Sequence, residues 1–145
     1  MRLIVDMNVL FSFFKRETKT RKLVSSFEVL KLYTPSLCIK ELIKHKDEIC
    51  FKSRILEEEF WELLDDLKLF VEIVEEKRFK DFAPKAAKIL SSHLKDVSYL
   101  ALAFWFKDSG FEIGIWSNER RLKFLEEYGV KVYNTTELLN KFELI

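Results

Sequence analysis

The chain has 145 residues, 48% of them hydrophobic and 34% charged, with a formal net charge of +1. That length supports one buried core, and that apolar content excludes a disordered tail. The near balance of charge gives no overall attraction to a polyanion, so contact with nucleic acid would depend on local patches.

The longest uncharged apolar stretch, residues 97–106, is far too short to span a bilayer, and a strand-like run at Arg2-Leu3-Ile4-Val5 begins the chain. A cytoplasmic protein without membrane segment or signal peptide is therefore expected. Cys38 and Cys50 lack CxxC spacing and have no nearby His companions, which predicts reduced thiols and not a metal pair.

Taken in chain order, residues 3–6 are continuously apolar up to Asp6, as in a parallel strand covered on both faces. Helical patterns follow at 7–14 and 18–30, then a strand at 31–34. Pro35 marks the turn into a helix over 36–44. A helix at 55–67, a strand at 69–74 and a helix at 79–92 come next. Residues 97–107 are apolar nearly all round and predict a buried central helix. The pattern closes with a strand at 112–116, a helix at 119–128, a strand at 130–133 and a helix at 135–142.

Local punctuation agrees. Asn134-Thr135-Thr136-Glu137 has the form of a capping box opening the last helix, with Asn134 as N-cap. Ser25-Ser26-Phe27-Glu28 has a similar form and would break the 18–30 helix. Gly110 and Gly129 stand just past helix ends, where a left-handed residue is wanted. The alternation predicts a single α/β domain over residues 1–145: three layers, α/β/α, around a mainly parallel five-stranded sheet with right-handed crossovers.

Open α/β sheets bind ligands beyond the carboxyl ends of their strands. Among 24 acids, that rule selects four. Asp6 ends the first strand, Glu41 lies about two turns beyond Pro35, Asp96 begins the buried helix, and Glu119 follows the fourth strand. Each has an ordinary reading as well. Asp96 could cap its helix, Glu119 could favour a helix dipole, and Glu41 could pair with Lys44 or His45. Asp6 is the hardest to explain so, because an ionisable group continuing an apolar strand is costly to bury alone.

Converging carboxylates repel by about 4 kcal/mol per pair at ~4 Å and an effective dielectric of about 20. A bound cation or protons would relieve that. Oxygen-only donors favour Mg²⁺ or Mn²⁺ over zinc, and such ions serve phosphate chemistry. His45 and His93 have no evident nucleophile in register, so no Ser-His-Asp or Cys-His arrangement competes.

Over essentially its whole length the chain resembles a PIN domain, a metal-dependent nuclease fold that includes toxin-type ribonucleases. Leu3-Ile4-Val5-Asp6-Met7-Asn8-Val9-Leu10 resembles the family's opening strand and D-x-N motif. Ser36-Leu37-Cys38-Ile39-Lys40-Glu41-Leu42 resembles the helix with the second acid. The most specific match is Lys95-Asp96-Val97-Ser98-Tyr99-Leu100-Ala101-Leu102-Ala103, the third-acid segment. Ile115-Trp116-Ser117-Asn118-Glu119 resembles the fourth, where the family usually places Asp and this chain has Glu119.

The resemblance implies that Asp6, Glu41 and Asp96 bind metal, that Glu119 stands at the fourth acid position, and that Asn8 and Ser117 orient ligands or water. The extra methylene of Glu119 displaces its carboxylate by ~1.5 Å, and ~1 Å of misplacement can cost ~10²-fold in rate. RNA as substrate, an antitoxin partner and a homodimer are likewise implied by the resemblance. Lys15, Arg16, Lys19, Arg21 and Lys22 after the first helix, and Arg120, Arg121 and Lys123 beside Glu119, are candidates for holding an RNA backbone, or else form a solvated face. Residues 9–14, rich in Phe, offer a dimer interface or part of the core.

Three rivals stand beside the nuclease. One is a non-catalytic PIN domain that binds RNA or protein. A phosphotransferase of the haloacid-dehalogenase type wants D-x-D where this chain has Asn8. A receiver-like domain needs an acid pair at the first strand end and a late lysine, and neither is arranged here.

Overall fold

The computed structural model describes residues 1–15, 19–26 and 29–142. Five parallel strands, β1 (Arg2–Val5), β2 (Lys31–Pro35), β3 (Val71–Val74), β4 (Gly114–Trp116) and β5 (Lys131–Tyr133), lie in the order β3-β2-β1-β4-β5. The chain builds outward from β1 through β2 to β3, then crosses back to lay β4 on the other side of β1 with Ile4 opposite Ile115. The strand order thus reverses between β1 and β4, and a crevice at their carboxyl ends follows from that topology.

Leu3, Ile4 and Val5 are consecutive and all fully buried. Side chains alternate between faces along a strand, so both faces of β1 are covered, as its unbroken apolar run predicts. On one face the covering helix is α7 (Val97–Asp108), which packs against β1, β2 and β4. Helices α1 (Met7–Phe13) and α2 (Lys19–Val24) follow β1. Phe13 and Phe14 are buried, and Phe14 stacks on Phe60 of α5 (Glu57–Phe70) at 4.9 Å between ring centroids. Val9 and Leu10 are buried too, so the Phe-rich segment is core.

The expected α/β sheet holds, and the departures have local causes. Helix α3 (Ser36–Lys44) is where expected, but α4 (Lys46–Ser53) went unpredicted because it buries only Ile49 and carries no apolar stripe. The strand expected at 69–74 begins only at Val71: Phe60, Leu64 and Leu67 set a helical apolar face that runs on to Phe70. The helix expected at 79–92 shrinks to α6 (Ala83–Ile89), preceded by two short 3-10 turns. Pro84 lies in its first turn, the only part of a helix where its missing N–H costs nothing.

Residues Arg120–Tyr128 form a 3-10 helix instead of an α-helix. The last helix, α8 (Thr135–Lys141), has the expected cap: Asn134 accepts from the Glu137 N–H, and the Glu137 carboxylate accepts from the Asn134 N–H. Ser25 and Ser26 do not open a helix. Their hydroxyls donate back to the Arg21 and Lys22 carbonyls at the end of α2, while Phe27 and Glu28 lie outside the described residues. Gly110 and Gly129 take φ of 89° and 82°, the left-handed backbone expected of them.

Candidate functional site

Asp6 is the residue at which β1 stops and α1 starts. Its backbone N–H still donates to the Trp116 carbonyl, and its side chain turns to cap α1 by accepting from the Val9 N–H at 2.9 Å. At 4% exposure it is nearly sealed from water. Burial pushes its carboxyl up to about 6, opposed by hydrogen bonds from Ser117 and Val9 and reinforced by the negative charges of Asp96 and Glu119. The charges of two acids from two other segments therefore reach Asp6 at the carboxyl end of the sheet.

Ser117, the first residue after β4, holds two of them in register. Its hydroxyl bonds the Asp6 carboxylate and accepts the Glu119 N–H at 3.1 Å. Asn8, the second residue of α1, donates to Glu119 Oε1 at 3.3 Å. Asn8 and Ser117, expected from the resemblance to orient ligands or water, here contact the acids themselves.

Asp96 stands at the N-cap of α7, yet its side chain makes no cap hydrogen bond. The capping role belongs to Asp6 instead. Asp96 lies 2.8 Å from Arg121, whose Nε is also 3.5 Å from Glu119. The contact is to Asp96 Oδ2, which is buried and makes no directed hydrogen bond among the described residues. One guanidinium thus supplies opposing charge to two carboxylates and fully satisfies neither.

Glu41 lies in α3, beyond the carboxyl end of β2, and pairs with His45 at 3.5 Å. This is the helix ion pair of its plainer sequence reading, and among the described residues no hydrogen bond or ion pair ties it to Asp6. The candidate backbone cations differ among themselves. Lys15, Lys19, Lys22 and Arg120 are exposed, whereas Arg16 lies outside the described residues. Arg21 donates to the carbonyls of Phe13 and Phe14 and so finishes α1. Lys123 bonds the Val132 carbonyl at 2.6 Å and pairs with Glu137 at 3.4 Å.

Two supporting residues escaped the sequence reading. The Tyr99 hydroxyl accepts from the Met7 N–H at 3.0 Å and from Cys38 at 3.3 Å, fixing the turn that carries Asp6. Burial raises both the Tyr99 phenol and the Cys38 thiol, so both stay protonated. Glu76, just past β3, accepts from Ser36 and from the Leu37 N–H at 2.6 Å, closing the start of α3. Neither had a signal in sequence, because each partner lies tens of residues away. Cys38 and Cys50 are free, as expected.

Could these residues hold a divalent cation? Their chemistry fits: the donors are carboxylate oxygens with a hydroxyl and an amide beside them, and Asp96 Oδ2 is a buried acceptor with the Arg121 charge beside it but no directed hydrogen bond. Their present arrangement is closed on Arg121, and among the described residues no three His, Cys, Asp or Glu side chains converge to hold an ion. A cleft of about 260 Å³, lined by Ser117, Asn118, Glu119, Arg120 and Lys123, opens beside the acids. No helix among the described residues is long and apolar enough to cross a membrane.

No curated protein matches the sequence. Solved structures that share the fold include the following two. VapBC2 from Rickettsia felis, bound to a DNA fragment from its promoter, gives a TM-score of 0.69 at 13% identity, over 92% of this chain and 98% of that one. VapBC-1 from nontypeable Haemophilus influenzae gives 0.63 at 14% identity, over 94% and 99%. The PIN domain family model matches residues 4–143, which takes in the end of β1, the acid-bearing segments and β5. By that match the chain belongs to the PIN-domain family.

Proposed function

We propose that this chain is a Mg²⁺- or Mn²⁺-dependent nuclease that hydrolyses phosphodiester bonds of RNA, and that it is the toxin of a toxin–antitoxin pair. The observation that supports this reading is Asp6, buried where β1 meets α1, with burial and the negative charges of Asp96 and Glu119 holding its carboxyl at about 6. A group so placed is mostly ionised at neutral pH, and its charge calls for a cation.

In this reading Asp6, Glu41 and Asp96 are metal ligands, with Glu119 as a fourth acid reaching from longer range. A bound divalent ion supplies Lewis acidity, activating water and offsetting charge on the phosphate. Ser117 keeps Asp6 ionisable by donating to its carboxylate, and Asn8 holds Glu119 at the pocket rim. Lys15, Lys19 and Arg120, all exposed, would guide an RNA backbone toward the acids. The antitoxin partner is supported by the two solved likenesses, both named as VapBC assemblies. A homodimer would need a face other than residues 9–14, which the core takes up.

One observation favours a second reading, a non-catalytic PIN domain that binds RNA or protein: Arg121 already stands between Asp96 and Glu119. A structured RNA incubated with the protein, with and without Mn²⁺, separates the two. Cleavage that chelator abolishes supports the nuclease. Binding without cleavage at any Mn²⁺ concentration supports the alternative.

A further inference from the structure

Arg121 is unusual in where its charge goes. It sits in the 3-10 helix after β4, two residues beyond Glu119, with its side chain 40% exposed. From there it reaches Asp96, whose side chain is only 10% exposed and lies at the start of α7. An exposed arginine gains little from an ion pair in water. The gain here belongs to Asp96, a carboxylate that would otherwise be buried beside Asp6 and Glu119 with no opposing charge.

The contact also lacks what makes Arg–carboxylate pairs durable. A fork-on-fork pair uses two parallel N–H bonds on one carboxylate. Arg121 instead divides itself, Nη1 at 2.8 Å from Asp96 Oδ2 and Nε at 3.5 Å from Glu119 Oε2, and its contact with Oδ2 is a charge contact without a directed hydrogen bond. Charge is matched while geometry is not. A small divalent ion could satisfy the same oxygens at bonding distance, but it could not do so with the guanidinium in place, because the two cations would repel each other across a few ångströms.

We propose that Arg121 is the resident counter-ion of the acid site, and that divalent metal binds only in exchange for it. The proposal deepens the nuclease reading by naming what sets the metal threshold of that site. Arg121 holds the acids together before loading, and its long, half-exposed side chain withdraws into solvent when the ion arrives. The charge of the metal-free site is thereby partly offset, at the expense of metal affinity.

Calorimetric titration of Mn²⁺ into the full chain, without RNA, tests this. Arg121→Gln should bind Mn²⁺ roughly tenfold more tightly than the unaltered protein, or better, as expected when a charge-assisted pair no longer competes. Its melting temperature should fall without metal and rise further than that of the unaltered chain when Mn²⁺ is added. Unchanged or weaker Mn²⁺ binding by a folded Arg121→Gln would overturn the proposal. Should that variant not fold, Arg121→Lys decides: a lysine cannot span both carboxylates, so severalfold tighter binding is expected and unchanged binding refutes. Failure here is distinct from failure of the nuclease reading. A chain that binds Mn²⁺ more tightly as Arg121→Gln yet never cuts RNA sinks the nuclease and leaves the exchange intact.

Discussion

The two ends of the sheet make opposite use of charge. At the carboxyl end, the negative charges of Asp96 and Glu119 act on buried Asp6, and one arginine stands between Asp96 and Glu119. The amino end holds the larger cavity, about 570 Å³, with Arg2, Lys107 and Lys131 in its walls. There each described cation contact is an ordinary one: Arg2 lies over the Phe111 ring, and Lys107 donates to the Gly129 carbonyl at 2.5 Å. Gly114, which lines this cavity, answers to packing, because an added Cβ would come within 3.1 Å of Leu3 and Tyr133. Volume therefore marks where the elements leave a gap. Unrelieved like charge marks where chemistry is to be sought, and that is the smaller cleft.

The comparison breaks most visibly at Asp6. Asp6→Asn should lower metal-dependent RNA cleavage on the order of 10³-fold, while asparagine keeps the cap on α1. It should also raise stability. Held at about 6 against an ordinary 3.8, Asp6 costs the folded state on the order of 3 kcal/mol once ionised. The sign follows from the direction of the shift: a raised carboxyl contributes stability that is fully present below about pH 4 and is lost as pH rises through about 6. Thermal unfolding without metal should show the variant matching the unaltered chain in acid and exceeding it at pH 7.5. Retained cleavage with lost stability would reject the assignment.

Glu41→Gln comes next. If Glu41 turns from His45 to the site, the substitution should cost cleavage at least about tenfold, the scale seen for removing even an outer partner of a metal. A rate unchanged within twofold would leave Glu41 as the helix ion pair that it now forms. Ser117→Ala removes the hydroxyl that lowers the Asp6 carboxyl and receives the Glu119 N–H. The pH midpoint of Mn²⁺ binding should move upward and affinity fall by roughly tenfold or less; a downward shift would contradict the role given to Ser117. The smallest effect is expected at the other end. Lys131→Ala should change stability by less than about 0.5 kcal/mol and leave cleavage as it was, and a large loss there would undo the contrast between the two ends.

Much of the fold was legible in the residues because its signals are local. The unbroken apolar run of β1, the all-round apolar α7 and the Asn134 capping box each depend on neighbours in the chain. Helix α4 was hidden, because a helix with Ile49 alone facing inward leaves no periodic trace. The site was half legible. Asp6, Asp96 and Glu119 could be singled out by their places at strand and helix ends, and the family resemblance supplied Asn8 and Ser117.

Their individual roles could not be read. Asp96 looked like a cap and is none, while Asp6 proved to be one, since capping depends on a side-chain direction that sequence does not carry. Arg121 looked like one more surface cation. Its tie to Asp96 exists only because the chain crosses the sheet between them, from α7 through β4 to the 3-10 helix. The same distance in sequence concealed Tyr99 beneath Met7 and Glu76 at the head of α3.

Anomalous diffraction from crystals soaked in Mn²⁺ at pH 7.5 tests the central claim most directly. The expected result is a manganese peak bonded to oxygens of both Asp6 and Asp96. Absence of any peak in that crevice at saturating Mn²⁺, or a peak held by other residues while Asp6 and Asp96 stay as they are, would contradict it.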